Sequence, residues 1–140
     1  MSKRHITRRL TFEAGHRVMG HETKCANLHG HSYKVFVEAE GPLDQIGRIV
    51  DFSVLKDRIG GWLDRYWDHG VILYRDDEDL VAALRETGQK LFILPTNPTA
   101  ENMASFLLHT ICPGLFEAGG ITVTTIRLQE TENCEATETL

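Results

Sequence analysis

The sequence predicts an α+β fold in which helices pack on one face of a small antiparallel sheet. Three observations carry that prediction. Residues 31–40 (HSYKVFVEAE) place Tyr33, Val35, Val37 and Ala39 on one face of an extended chain and Lys34, Glu38 and Glu40 on the other, the period of a half-buried strand. Val54, Leu55, Ile59, Trp62, Leu63 and Tyr66 recur at helical spacing, as do Met103, Phe106, Leu107 and Ile111. Long strand candidates stand near both ends of the chain with helices between them, so strands and helices are segregated.

Taken in order, Ile6–His16 forms the first strand, with Ile6, Leu10, Phe12, Ala14 and His16 on one face and Arg8 as the exception. A loop over 17–28 follows, and then the strand 31–40. Gly41-Pro42-Leu43-Asp44 makes a turn, Gly47–Phe52 (GRIVDF) reads as a short strand, and Ser53 as the cap of the first helix, which ends near Trp67. Asp76-Asp77-Glu78-Asp79 reads as the solvated acidic first turn of a helix that stops at Gly88. Lys90–Leu94 is a short apolar run. Thr99 caps a helix that Pro113-Gly114 terminates. Ile121–Glu130 is a long β-branched strand, and residues 131–140 read as a mobile polar tail.

At 140 residues and 15.8 kDa, without repeats or a linker, the chain is expected to be one domain, 1–140. A composition of 41% hydrophobic and 25% charged residues argues against a disordered or collagen-like chain. No stretch approaches the ~20 apolar residues of a membrane span, and no membrane association is expected. Three Cys are an odd count, and the opening MSKRHITRRL lacks an apolar signal region, so reduced thiols and a cytoplasmic location are expected. The net charge of −5 is uneven, since residues 1–34 hold seven basic against two acidic residues. An acidic protein with a basic opening segment is a poor nucleic-acid binder but suited to draw in a small anion, unless that segment is simply a solvated arm.

His29-Gly30-His31 is the sharpest chemical feature. Two His at i and i+2 on an extended chain point to one side, and the Gly between them admits a close backbone. With His16 at the end of the first strand's buried face, three imidazoles would hold a metal and leave a fourth position open, the pattern of catalytic zinc. Cys25 is open to three readings: a buried small hydrophobe, a fourth and structural zinc ligand, or an acid/base thiol. Asp68-His69 offers a carboxylate that can fix a His tautomer. Glu101 and Glu130 read individually as a helix-dipole partner and a strand-end surface residue.

Together, Phe12-Glu13-Ala14-Gly15-His16, Cys25-x3-His29-Gly30-His31, Gly47-Arg48-Ile49-Val50-Asp51-Phe52, Asp68-His69, Asn97-Pro98-Thr99-Ala100-Glu101-Asn102 and Glu130-Thr131 resemble, in order, the landmarks of the 6-pyruvoyl-tetrahydropterin synthase superfamily. The three-residue gap before His29-Gly30-His31 is similar to that of the queuosine-pathway 6-carboxytetrahydropterin synthases. The resemblance spans residues 12–131. It implies a T-fold that oligomerises into a β-barrel as a trimer and pairs into a hexamer. It implies that His16, His29 and His31 bind Zn²⁺, that Cys25 transfers a proton, and that Asp68 and His69 of a neighbouring subunit complete its relay. Thr99, Glu101 and Glu130 match positions that hold the pterin. The implied reaction converts 7,8-dihydroneopterin triphosphate to 6-carboxy-5,6,7,8-tetrahydropterin, acetaldehyde and triphosphate, with Arg17 and Lys24 placed to meet the triphosphate. The alternatives are 6-pyruvoyl-tetrahydropterin synthesis without side-chain cleavage, an aldolase-like cleavage, and a non-catalytic zinc- or pterin-binding module. Segment 74–94 and the Trp67 and Gly70-Val71-Ile72 positions depart from the family pattern.

Overall fold

A computed structural model describes residues 4–118 and 120–140; Lys3 of the basic opening segment lies outside them. The alternating strands form as expected. β1 (His5–His16) and β2 (His29–Glu40) pair antiparallel along their whole length, from His5 opposite Glu40 to His16 opposite His29. Their inward side chains Leu10, Phe12, Ala14, Tyr33, Val35, Val37 and Ala39 are all buried. β5 (Thr122–Thr131) adds to β2 antiparallel, with a bulge at Glu38/Ala39 that lets Val123 and Ile126 both face inward.

Helix α1 covers residues 52–66 as Phe52–Leu55, a wider five-residue turn at Lys56–Gly60, and Gly61–Tyr66. It presents Leu55, Ile59 and Leu63 to the sheet. Helix α3 covers residues 100–111 and presents Met103, Ala104, Leu107 and Leu108 to the same face. Both helices thus cover one side of the sheet, and the core between them is one cluster that also takes in Trp67, Ile72, Leu94 and Cys112. Fully burying a side chain such as Leu or Phe is worth about 1.5–3 kcal/mol.

Four local expectations are corrected. The sheet is mixed, in the order β4-β3-β1-β2-β5-β6, because β3 (Gly70–Tyr74) lies parallel to β1 and β4 (Leu91–Leu94) parallel to β3. Helix α2 (Glu78–Glu86) forms the crossover that this parallel pair requires. Gly47–Phe52 is no strand: the Asp44 carboxylate gathers the chain into a turn, accepting from the N–H groups of Ile46 and Arg48 at 3.0 and 3.1 Å and from Arg48 Nε at 2.6 Å, Gly47 sits at φ +91°, and Phe52 already opens α1. The cap of α1 is Asp51, which accepts from Ser53 N at 2.8 Å, so Ser53 is already inside the helix. The tail expected to be mobile instead forms β6 (Cys134–Thr139), paired antiparallel with β5. Its alternation is hidden because a strand at the sheet edge buries little, and Ala136 is its one half-buried hydrophobic side chain. No helix among the described residues is long and apolar enough to cross a membrane.

Candidate metal centre and its surroundings

The β1–β2 register assembles the histidines. His16 and His29 are cross-strand partners at the open end of the pair, and His31 is opposite Ala14, two residues along on the same face. Gly15 and Gly30 pair between them. A side chain at Gly30 would lie 3.3 Å from the Ala14 carbonyl, so a Cβ there would press the strands apart by a few tenths of an ångström. The ligand atoms of His16, His29 and His31 all lie within 4.8 Å of one another, and this is the one such cluster of potential ligands among the described residues.

The tautomers follow from the next shell. His16 Nδ1 donates to the Pro98 carbonyl at 2.7 Å and His29 Nδ1 to the Asn27 carbonyl at 2.6 Å, so each Nε2 is left as a lone pair. Those two Nε2 atoms stand 3.1 Å apart, with no proton between them to make a hydrogen bond. Glu130 adds a carboxylate oxygen 3.1 Å from His16 Nε2 and 3.3 Å from His31 Nε2. Four electron-rich atoms thus converge on one place, an arrangement that needs a positive charge at its centre. A tetrahedral ion with bonds of 2.0–2.1 Å has ligand atoms roughly 3.4 Å apart, and three imidazoles whose ligand atoms lie within 4.8 Å suit one, with the Glu130 oxygen beside it.

Burial foremost, against the pull of Glu130 and with help from His16 and His29, lowers the affinity of His31 for a proton and keeps it a neutral ligand. When the imidazoles carry protons in place of a metal, the hydrogen bond from His16 and the charges of the three rings hold Glu130 below the usual carboxyl range despite its partial burial. Tyr33 forms the floor, its ring 6.0 Å from His16 and 5.5 Å from His31 and stacked at 4.7 Å on Phe12. Its hydroxyl is buried without a partner, and burial and then Glu130 push its pKa upward, so it remains a protonated donor.

The remaining predicted residues divide into two groups. Thr99 and Glu101 belong to the loop and first turn that rest on His16 through Pro98. Thr99 caps α3, its Oγ1 accepting from Asn102 N at 3.1 Å, and Glu101 is exposed. Cys25 lies in the short turn Lys24–Ala26 of the β1–β2 loop, half-buried and outside the histidine cluster. Asp68 and His69 sit on the other side of the sheet. Glu13 N donates to Asp68 Oδ1 at 2.8 Å and His69 N to the Glu13 carbonyl at 2.6 Å, docking the pair against outward-facing positions of β1. The Asp68 carboxylate meets His69 Nδ1 at 2.7 Å, and the His69 ring, 76% exposed, borders an open recess with Glu13, Gly15, Gly30, His31 and Ser32. His69 also holds a left-handed φ of +59°, which orients its ring outward from the chain. Within one chain, then, Asp68-His69 lies outside the histidine cluster and meets it only at the recess that His31 also lines.

A model of the 6-pyruvoyl tetrahydropterin synthase family matches residues 5–139. The chain belongs to that family. A Rickettsia bellii protein named 6-carboxy-5,6,7,8-tetrahydropterin synthase is 45% identical over 130 residues, covering 91% of this chain and 94% of its own. One of the same name from Haemophilus influenzae is 32% identical, covering 95% and 98%. Among solved structures, an uncharacterized protein from Wolinella succinogenes superposes with a TM-score of 0.84 at 22% identity over 99% of both chains. Plasmodium vivax 6-pyruvoyltetrahydropterin synthase does so with 0.73 at 15% identity over all of both. These likenesses confirm the T-fold, with helices on one face of a curled mixed sheet.

Sequence reasoning missed the supports of this family's site. Asn97 clips the β1–β2 loop by accepting from Met19 N at 2.8 Å and donating to Met19 O at 2.9 Å, while Pro98 supplies the carbonyl that orients His16. Asn97-Pro98 signals a loop in the sequence, but nothing in it says which imidazole the carbonyl meets. Asp77, expected on a solvated helix face, is buried and paired with Arg17, so Arg17 is engaged by a carboxylate rather than left open to a phosphate.

Proposed function

We propose that this chain is a zinc-dependent 6-carboxy-5,6,7,8-tetrahydropterin synthase that converts 7,8-dihydroneopterin triphosphate to 6-carboxytetrahydropterin, acetaldehyde and triphosphate in queuosine-type 7-deazaguanine synthesis. The observation that carries the reading is the cluster of three converging imidazoles, two of which, His16 and His29, have their Nδ1 protons held by backbone carbonyls. The names of the 32–45% identical relatives support the choice of reaction. Zinc held by His16, His29 and His31 supplies a Lewis acid for the hydroxyls of the substrate side chain.

Every other part of the chemistry falls to side chains. Cys25 moves the proton at the substrate carbon, and a positioned acid/base of this kind contributes about 10²- to 10⁴-fold. Asp68 holds Nδ1 of His69, leaving Nε2 free to exchange a proton with the thiol. Because Asp68-His69 faces outward from its own chain, the pair serves the Cys25 of a neighbouring copy, and the working unit is a homo-oligomer, a hexamer built as a dimer of trimers. Thr99, Glu101 and Glu130 hold the pterin ring. Glu130 fits that role because its carboxylate is kept ionised at the edge of the metal centre.

The test is to incubate zinc-replete protein with 7,8-dihydroneopterin triphosphate and identify the products by mass spectrometry, with Cys25→Ala as control. The 6-carboxy product with acetaldehyde is expected. A retained three-carbon side chain would assign the 6-pyruvoyl reaction instead, and absence of any pterin product would leave a zinc- or pterin-binding module.

A further inference from the structure

The loop that carries Cys25 is tied down from a distant part of the chain. Arg17 donates from Nε to Asp77 Oδ2 at 2.8 Å and from Nη2 to Asp77 Oδ1, a two-point fork. The Asp77 side chain is 3% exposed and that of Arg17 is 32% exposed. A buried carboxylate is tolerated only when paired, and the planar guanidinium fixes both partners in one orientation. From Arg17 the connection is short. Its neighbour Val18 donates its N–H to the Cys25 carbonyl at 3.0 Å, and the next residue, Met19, is held on both backbone groups by Asn97. Asp77 stands in the turn between β3 and α2, within segment 74–94, for which the proposed reaction has no other use.

We propose that Asp77 is a positioning residue for the thiol: acting through Arg17 and Val18, it sets where Cys25 stands relative to His16, His29 and His31. The inference rests on the reading of Cys25 as the proton-transferring group. Asp77 touches neither ligand nor substrate, so its effect belongs in turnover and not in substrate affinity. A misplacement of about 1 Å at a reacting group costs up to about 10²-fold.

The test compares wild-type protein with Asp77→Asn, which keeps the shape and removes the charge, and with Arg17→Lys, which keeps the charge and removes the fork. Arg17→Lys carries the same readouts if Asp77→Asn does not fold. Expected are a roughly 10- to 100-fold lower kcat with KM within about threefold, zinc content unchanged, and severalfold faster alkylation of Cys25 by iodoacetamide with Cys134 unaffected as the internal standard. A raised KM with unchanged kcat would overturn the proposal in favour of a phosphate-binding role for Arg17. Unchanged kcat and unchanged Cys25 alkylation would overturn it outright. If wild-type protein forms no pterin product, the activity reading fails, and the alkylation comparison still decides the clamp by itself.

Discussion

His16 shows how much one residue's surroundings determine. Its Nδ1 is committed to Pro98 and its Nε2 to the metal position, so its ring has one orientation and one tautomer. Comparable reasoning separates the three thiols. Burial pushes Cys112 up to about 12, whereas Cys25 is half-buried and Cys134 exposed. Native protein at pH 8 should therefore titrate two thiols with a disulfide reagent and three once unfolded; three in the native state would contradict this packing. The orphaned Tyr33 hydroxyl costs desolvation without return, so Tyr33→Phe should leave thermal unfolding unchanged or raise stability by up to about 1 kcal/mol. Asp68 makes a prediction about pH. Its burial favours protonation, but the Glu13 N–H, His69 and Lys90 outweigh that and hold the carboxyl below its ordinary value. A group depressed on folding stabilises the fold above the unfolded value of about 3.9 and loses that contribution as pH falls through the folded value. Asp68→Asn should thus lower stability at pH 7 and flatten the acid limb below about pH 4, as followed by circular dichroism.

At the scale of elements, what was legible in the sequence depended on whether a segment has one buried face. β1 and β2 do, and their alternation placed His16, His29 and His31 at the end of the strand pair before any register was known. β3 and β4 are short apolar runs, GVILY and LFIL, and carry no period that marks them as parallel strands. Gly47–Phe52 failed as a strand because Asp44 gathers its backbone into a turn, a local competition that β-branched composition conceals. The start of α1 is the sharpest case. Asp51 makes the capping bond and Ser53 does not, so Asp51→Ala should cost about 1 kcal/mol in urea unfolding while Ser53→Ala stays within about 0.5 kcal/mol. Equal losses would place the cap where the sequence alone had put it.

Across the whole molecule, the sheet divides the chemistry. Its inward face carries the histidine cluster and Glu130, and its outward face carries Asp68 and His69. The sequence brought these residues into one list but could not show which side of the strand pair each meets, because motif order contains no facing. The supporting roles of Asn97, Pro98 and Asp77 were invisible for a related reason: each acts through a contact at least 60 residues away in sequence. If the working site is shared between copies, mixing Cys25→Ala and His69→Ala subunits should restore part of the activity that each lacks alone, and separately inactive mixtures would count against it.

The claim on which the rest depends is that three imidazoles, and not the thiol, hold the metal. Zinc per chain measured by plasma mass spectrometry on purified protein tests it directly. One equivalent is predicted in wild-type and Cys25→Ala protein and close to none in His29→Ala; loss of zinc from Cys25→Ala with retention in His29→Ala would contradict it.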